Sequence, residues 1–579
     1  MKFEFITRFK CYPAAIALGL IAACSVLGLR GAGLLQLLEL RTLDAMMERR
    51  PGEAKDQRVV VIGVSEADLN WLRSPALTDA VLAALITQIK HQQPRVIGLD
   101  FYRNLPIEPG SQALRELFRS TPNLIGIEKV IIDQNDDTQA PLPGNELLTA
   151  AHQVAASDVI VDADGRVRRA FLFPAAQGPR VLESLGFRLA LDYLAQEGLV
   201  PDPNADPLQI GGAEFPPMLP STGGYAQVHD GGYQILLNPR ATVNPALVSL
   251  QDVLTGNLPP DLMRDRVVLI GSTALSSADV FYSGHSNAKD RNTQITFGIE
   301  LHAELTSQII SHVLDDRPLT GSLSETLEMG LILLLAYSGI ALQGSATPEW
   351  QRLLRVLGMS GGVAIASYAS LSLWGLWLPL VPMMLSLWSA SILMATSCMI
   401  QLRTLAERDG MTQLANRRTF DEALQQAWVK GLRSQQPVSL ILCDVDHFKL
   451  YNDAYGHLQG DECLRHVAKS IRSAVKRSKD LAARYGGEEF VVLLPNTSAE
   501  AAFALAETIR QNVKSAQLPH KASKVADHVT LSLGVTCLVP SMEVPINSVV
   551  QFADLGLYRA KEGGRDRANL HLPQTGGIA

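Results

Sequence analysis

Four stretches of mostly apolar residues, 12–29, 326–342, 353–374 and 376–400, constrain this chain more than any other feature. Each approaches the roughly 20 residues that a helix needs to cross the hydrocarbon core of a bilayer. The wider composition agrees: apolar residues make up 47% of the chain and charged residues 19%, more and fewer respectively than ordinary soluble usage. A length of 579 residues exceeds what one hydrophobic core organises, so several domains are expected. The net charge of −7 supplies no general basic face and argues against a nucleic-acid partner.

Basic residues mark the cytoplasmic ends of spans. Lys2, Arg8 and Lys10 precede the first span, Arg352 and Arg355 lie between the second and third, and Arg403 and Arg408 follow the fourth. These signs predict a cytoplasmic N-terminus over 1–11, an outer segment over 30–322 and a cytoplasmic C-terminal part, with membrane lipid as a constant partner. Ile21-Ala22-Ala23-Cys24 resembles a lipobox with Cys24 as the lipidated residue. The apolar run nevertheless continues through Val26, Leu27 and Leu29, as a retained anchor requires and a signal peptide does not. The fourth span carries Pro379 and Pro382 near its start. None of the six cysteines falls between residues 30 and 397, so an outer domain folds without disulfides.

The outer segment has the pattern of an α/β domain. Arg58–Val64 and Val96–Phe101 are continuous apolar runs of buried-strand type, and Ala80–Ile89 between them has helical spacing. Their order implies a βαβ unit in a partly parallel sheet, with further strands at Val267–Gly271 and Asn123–Ile127. The Pro/Gly-rich stretch 201–232 reads as loops. Arg58–Val64, then Gly98-Leu99-Asp100-Phe101, then Arg266–Thr273, then Gly298-Ile299-Glu300-Leu301-His302-Ala303 together resemble a CHASE-type extracytoplasmic sensor of the second class. That family precedes three spans and a signalling output domain, which is the layout here, and it implies an unknown extracytoplasmic ligand. Asp100, Glu300 and His302 are read as satisfying backbone groups at strand ends and helix starts.

Chemistry concentrates after the fourth span, beyond a linker helix over 401–408. Met399, Leu402 and Leu405 recur at threes, consistent either with a helical stalk or with a solvated linker. The strand Val438–Val445 ends in acidic residues, Asp444 and Asp446. A carboxylate at a strand end suits magnesium, a hard cation that shares its oxygen ligands with substrate phosphates. The following His447-Phe448-Lys449 leads into a helix whose backbone N–H groups can meet phosphate. Some forty residues later Arg484-Tyr485-Gly486-Gly487-Glu488-Glu489-Phe490 reads as a hairpin turned at the glycines, with two carboxylates at its tip. Together with Asp444 they form an acidic cluster that calls for a cation.

Six motifs in order, Asp409-x-x-Thr412, Asp444-x-Asp446-x-Phe448-Lys449-x-x-Asn452-Asp453, Gly456-His457, Gly460-Asp461, Gly486-Gly487-Glu488-Glu489-Phe490 and Ala560-Lys561-x-x-Gly564-Arg565, resemble the GGDEF family over 409–570. The resemblance implies an α/β fold of the nucleotidyl cyclase and polymerase palm type. The chain as a whole is then a multi-domain protein of the bacterial inner membrane, with an α/β extracytoplasmic sensor, four transmembrane helices and a cytoplasmic cyclase domain. It also implies a diguanylate cyclase that condenses two GTP into cyclic di-GMP and two pyrophosphates as a homodimer, each copy holding one GTP. By the same resemblance Asp444, Glu488 and the Val445 carbonyl bind magnesium, with manganese as the alternative, and Glu489 assists the second metal or activates the attacking hydroxyl. Asn452 and Asp461 read the guanine edge, which offers donors that adenine does not match. His447, Phe448, Lys449, Lys561 and Arg565 contact phosphate.

Arg477 and Asp480 stand at the offset of the family's product-inhibition site, which implies feedback by cyclic di-GMP. Glu488 occupies a position where many members carry Asp, and Gly556 lies inside an expected helix at a cost of about 1 kcal/mol relative to Ala. Residues 571–579 read as a disordered tail. The rival reading is a non-catalytic GGDEF module that acts as a receptor for GTP or cyclic di-GMP.

Overall fold

The computed structural model describes residues 2–131, 141–175, 181–226, 228, 231–240, 246–277, 279–283, 295–343 and 347–572, with backbone alone for 2–13, 402, 403 and 405. The side chains of Lys2, Arg8, Lys10, Arg403, Leu402 and Leu405 and the tail residues 573–579 therefore lie outside the described residues. The chain divides into two compact units, Met1–Ala395 and Thr396–Ala579.

The first unit opens with α1 (Lys2–Gly31) and α2 (Gln36–Glu48). Its central sheet comprises β1 (Val59–Val64), β2 (Val96–Asp100), β3 (Leu124–Glu128), β4 (Val154–Ala156), β5 (Ala246–Ser249) and β6 (Val267–Ser272). The strands are parallel throughout, in the order β5-β1-β6-β2-β3-β4. A parallel sheet is covered on both faces, which is why its strands read as unbroken apolar runs. Alternate residues of β1 serve opposite faces. Val60 and Ile62 pack with Leu82, Leu85 and Ile86 of α3 (Asp79–His91), and Val59 and Val61 join the cluster formed by α4 (Leu185–Ala195) and α5 (Gly298–Asp315).

Three differences from the sequence reading have local causes. The strands of the βαβ unit do not pair directly, because β6 lies between β1 and β2. Within 201–232, Leu208–Ile210 and Ala213–Phe215 pair as a short hairpin; Gly211 and Gly212 turn it with φ of +58° and +87°, and strands of three residues are too short to show alternation. Glu300 accepts from the Phe297 N–H at 3.0 Å and His302 bonds the Ser157 backbone, both as expected, whereas Asp100, which lines a cavity with His302, has its Oδ2 sealed without a hydrogen-bond partner.

Helices α1, α6 (Glu325–Gln343), α7 (Glu349–Trp374) and α8 (Leu380–Glu407) each contain a segment long and apolar enough to cross a membrane. The fourth starts at Leu380, not at Leu376. Leu376–Trp377 instead pairs in parallel with Gly321–Ser322, and Pro382 falls in the first turn, where its missing N–H forfeits nothing. Glu39 of α2, 1% exposed, accepts from the N–H groups of Leu380 at 2.9 Å and Val381 at 2.7 Å and from Trp377 Nε1 at 3.1 Å. It caps the otherwise unsatisfied N-terminus of α8. The backbone of α8 stays helical to Glu407.

The second unit is a five-stranded sheet of β7 (Val438–Val445), β8 (Leu481–Gly486), β9 (Glu489–Pro495), β10 (Leu531–Leu538) and β11 (Ala568–Leu570), in the order β8-β9-β7-β10-β11. Only the β10–β11 pair is parallel. Leu440 and Leu442 face α9 (Arg417–Ser434), while Ile441 and Cys443 face α11 (His457–Ala474) and α12 (Ala499–Ser515). Short α10 (Phe448–Tyr455) follows β7, and α13 (Ser548–Glu562) packs beside α9.

Candidate active site

All eight residues of β7 are buried, so the strand carries Asp444 to the sheet end with only 8% of its surface exposed. The register sets Asp444 directly opposite Glu489 on β9 and Ser532 on β10. Cross-strand partners have Cβ atoms about 5 Å apart, so two carboxylates meet here. Burial pushes the Asp444 carboxyl above the ordinary carboxylate range, with Glu488 and Asp446 adding to the rise and Lys561 opposing it. Glu489 is raised as well, by burial first and then by the charge of Asp444. Lys561, from the last turn of α13, donates to Asp444 Oδ2 at 2.8 Å.

Asp446, two residues on, is spent on structure. It accepts from Ser532 Oγ at 2.6 Å, Thr530 Oγ1 at 2.8 Å and the Asp566 N–H at 3.2 Å. Asp566 in turn binds Arg510 at 2.8 Å and Lys514 at 2.7 Å. This chain of bonds fixes the loop after α13, on which Arg565 adopts φ of +61° close enough to His447 for its charge to lower that imidazole's pKa, after the effect of burial.

The hairpin turn differs from the sequence reading by one residue. Gly486 is the last residue of β8, paired with Glu489, and Gly487, with φ of +48°, forms the turn with Glu488. Glu488 alone occupies the tip, and Glu489 begins the strand. Arg484 donates to the Gly487 carbonyl at 2.7 and 3.0 Å and reaches Asp409 at 3.4 Å. Asp409 accepts from the Thr412 N–H and hydroxyl at 2.8 and 2.7 Å. The motif that precedes α9 and the turn that carries Glu488 are thus one hydrogen-bonded assembly.

His447 adopts φ of +55° and leads into α10. The Phe448 ring is 8% exposed and belongs to the core, which leaves only its backbone for a ligand; Lys449 is exposed. Asn452 lies on α10, and its Oδ1 is buried without a hydrogen-bond partner. It rests against Gly460, where any side chain would collide with it. Gly456, with φ of +82°, makes the bend that returns α11 and its Gly460-Asp461 to Asn452. An acceptor sealed in this way costs about 1–3 kcal/mol unless a donor arrives.

Arg477 and Asp480 lie apart from this group, in the loop before β8. Arg477 donates to Thr497 Oγ1 at 3.1 Å. Asp480 Oδ1 is buried without a partner, and burial raises its carboxyl despite the charge of Arg477.

Among the described residues no three His, Cys, Asp or Glu side chains converge as a metal site. What converges is a desolvated Asp444 with Glu488 and Glu489 nearby and a lysine as present counter-charge. That donor set suits a hard cation which takes its remaining ligands from a phosphate. The sequence reading named Lys561 as a phosphate contact; it did not foresee its pairing with Asp444, nor the roles of Asp446 and Arg484, whose neighbours in sequence give no sign of them.

The CHASE2 domain model matches residues 21–341, and the model described as diguanylate cyclase, GGDEF domain, matches 406–567. A Diguanylate cyclase A of Treponema denticola is 40% identical over 181 residues, covering 30% of this chain and 48% of that protein. A diguanylate cyclase of Vibrio cholerae is 38% identical over 175 residues, covering 30% and 53%. The chain thus spans about half the length of the curated relatives it matches. The structure of the coiled coil and GGDEF domain of DgcB from Caulobacter crescentus, in complex with c-di-GMP, is 34% identical over 32% of this chain and 95% of that one, with a TM-score of 0.29.

Proposed function

From a chain that belongs to the CHASE2 family and carries a GGDEF domain, we propose a membrane-anchored diguanylate cyclase that joins two GTP into cyclic di-GMP and releases two pyrophosphates. The observation that carries this reading is the register of β7 against β9, which sets Asp444 opposite Glu489 beside the Glu488 turn, with Lys561 2.8 Å from Asp444. In the reaction the 3′-hydroxyl of each GTP attacks the α-phosphorus of the other, and the bond to pyrophosphate breaks.

Asp444, Glu488 and the Val445 carbonyl hold magnesium, or manganese, which supplies Lewis acidity and charge neutralisation at the phosphoryl oxygens. Lys561 is released from Asp444 to the phosphates, joined by Lys449, Arg565 and the backbone N–H groups at the start of α10. Glu489, its carboxyl raised by burial and by the charge of Asp444, takes the hydroxyl proton, since a raised carboxyl is a stronger base than an ordinary one. The orphaned Oδ1 of Asn452 and the Asp461 carboxylate accept from guanine N1–H and the 2-amino group. Adenine lacks that pair of donors.

The basic residues that flank the spans support a topology with the N-terminus and the GGDEF domain in the cytoplasm and the CHASE2 domain outside, in the inner membrane of a bacterium. One unit reads one guanine, so product with two guanines requires a homodimer. Arg477 and Asp480 form a product-inhibition site.

The test is incubation of the detergent-purified chain with magnesium and GTP, followed by chromatography for cyclic di-GMP. Asp444→Ala and Glu488→Ala are each expected to lower turnover at least a hundredfold, about 2.7 kcal/mol of transition-state stabilisation. Product formation that survives both changes, or GTP binding without turnover by the unaltered chain, removes the enzymatic reading.

A further inference from the structure

The first unit gathers a second set of acids, partly buried, at the carboxyl ends of its parallel strands. β2 ends at Asp100, β6 ends at Ser272, and Ser157 follows β4. These ends, with Asp279, Gly298 and His302, line a cavity of about 300 Å³. Ligands of open parallel sheets sit in this crevice, outside the carboxyl ends of the strands.

The charges in it are unbalanced. Asp100 Oδ2 is sealed from solvent and has no hydrogen-bond partner among the described residues. Asp279 rests over Gly298, where a Cβ would come within 2.5 Å of its Oδ2; the bare Cα at the start of α5 makes the room. His302, 5% exposed, brings no compensating charge, since burial holds its imidazole down to about 4. Burial raises Asp100 to about 7 and, together with the neighbouring Asp100, Asp279 to about 6. No lysine or arginine is among the described residues that line it. The Tyr102 hydroxyl is already engaged with Ser157 Oγ at 2.7 Å. Phe101, Ile127 and Val159 add apolar surface to the lining.

We propose that this cavity is a binding site for a small organic amine, whose ammonium N–H groups donate to Asp100 and Asp279 while its hydrocarbon body lies on Phe101 and Ile127. Two desolvated carboxylates exclude an anion. A calcium ion, which takes about six to eight oxygen ligands, would find only two carboxylates and an imidazole among the described acidic and histidine side chains of this lining. An orphaned acceptor beside an apolar wall fits an N–H donor with a carbon skeleton. The volume, at the small end of ligand pockets, restricts the guest to a compact molecule. The site lies in a different unit from the GGDEF machinery, and the inference does not depend on the cyclase reading.

The experiment is calorimetric titration of the full chain in detergent at pH 8 with phenethylamine and 1,4-diaminobutane, against 3-phenylpropionate, succinate and calcium chloride. Saturable binding of an amine is expected, with none of the carboxylates or calcium bound. Asp100→Asn and Asp279→Asn, which keep the cavity filled, each weaken amine binding at least tenfold, while the thermal unfolding of both variants reports that they are folded. Should one variant unfold, the other supplies the comparison. Equal binding of the carboxylates, binding of calcium alone, absence of amine binding, or amine affinity unchanged in the variants overturns the proposal.

Discussion

A buried carboxyl with no partner is a statement about stability as well as about ligands. Asp100, raised to about 7, retains its proton in the folded chain at pH values where the unfolded chain, with a pKa near 4, has lost it. Between those two values the folded state binds the extra proton, so stability falls as pH rises and levels off above about 7. Asp279, His302, Tyr102 and Asp158 also act electrostatically around this cavity, and His302, lowered to about 4, contributes with the opposite sign up to its unfolded value. The difference from Asp100→Asn reads Asp100 together with the part of the Asp279 shift that its charge causes. Relative to Asp100→Asn, the unaltered chain is expected to lose up to about 1.4 kcal/mol per pH unit from pH 4 towards 7, and nothing further above it. Thermal unfolding of both proteins across that range provides the check, and parallel curves refute it. The unpartnered Asn452 Oδ1 in the second unit follows the same logic with a neutral acceptor, which awaits a donor and has no pH dependence of its own.

Elements meet where side chains are absent as much as where they are present. By helix propensity alone, Gly556→Ala stabilises α13 by about 1 kcal/mol. Yet a Cβ at Gly556 would come within 3.0 Å of the Asn569 carbonyl oxygen and 3.1 Å of Gly534 Cα, backbone atoms of β11 and β10 that must give way to admit it. Gly556→Ala is therefore expected to destabilise the second unit by about 1–3 kcal/mol, and denaturant unfolding that shows a gain would mean the strands yield. This glycine marks the limit of what sequence conveys. The runs that became β1, β2, β6 and β7 were legible because strands buried on both faces need apolar residues at every position. The close approach of α13 to β10 was not, since a glycine in a helix carries no record of its neighbour. In the candidate site, the strand end at Asp444 and the glycine turn were legible from local pattern. Asp446 as anchor, Arg484 as clamp and Glu39 as cap of α8 were not, because each bonds to a partner far off in sequence: Ser532, Asp409 and Val381 respectively. The start of α8 was misplaced for the same reason: Leu376–Trp377 is held by Gly321–Ser322, a partner more than fifty residues earlier.

For the molecule as a signalling device, the decisive question is what limits output once substrate is present. Asp480 precedes β8, and the turn with Glu488 follows it. Six residues of strand at about 3.3 Å each separate the two by roughly 20 Å. On the proposed reading, a product molecule held by Arg477 and Asp480 would not displace GTP from the acid cluster of the same unit, and inhibition would depend on restraining whole units. Such restraint leaves the earliest turnover untouched and grows as product accumulates. The progress curve of the unaltered chain is expected to bend well before substrate is consumed, and cyclic di-GMP added at the start to suppress even the first turnovers. Arg477→Ala removes the guanidinium that would hold product and a single part-buried bond to Thr497, so its initial rate is expected to stay within about twofold of the parent while its curve remains straight. If Arg477→Ala bends as early as the parent, feedback through this pair is wrong; if its initial rate collapses, Arg477 serves the fold of the β8 approach and not the product.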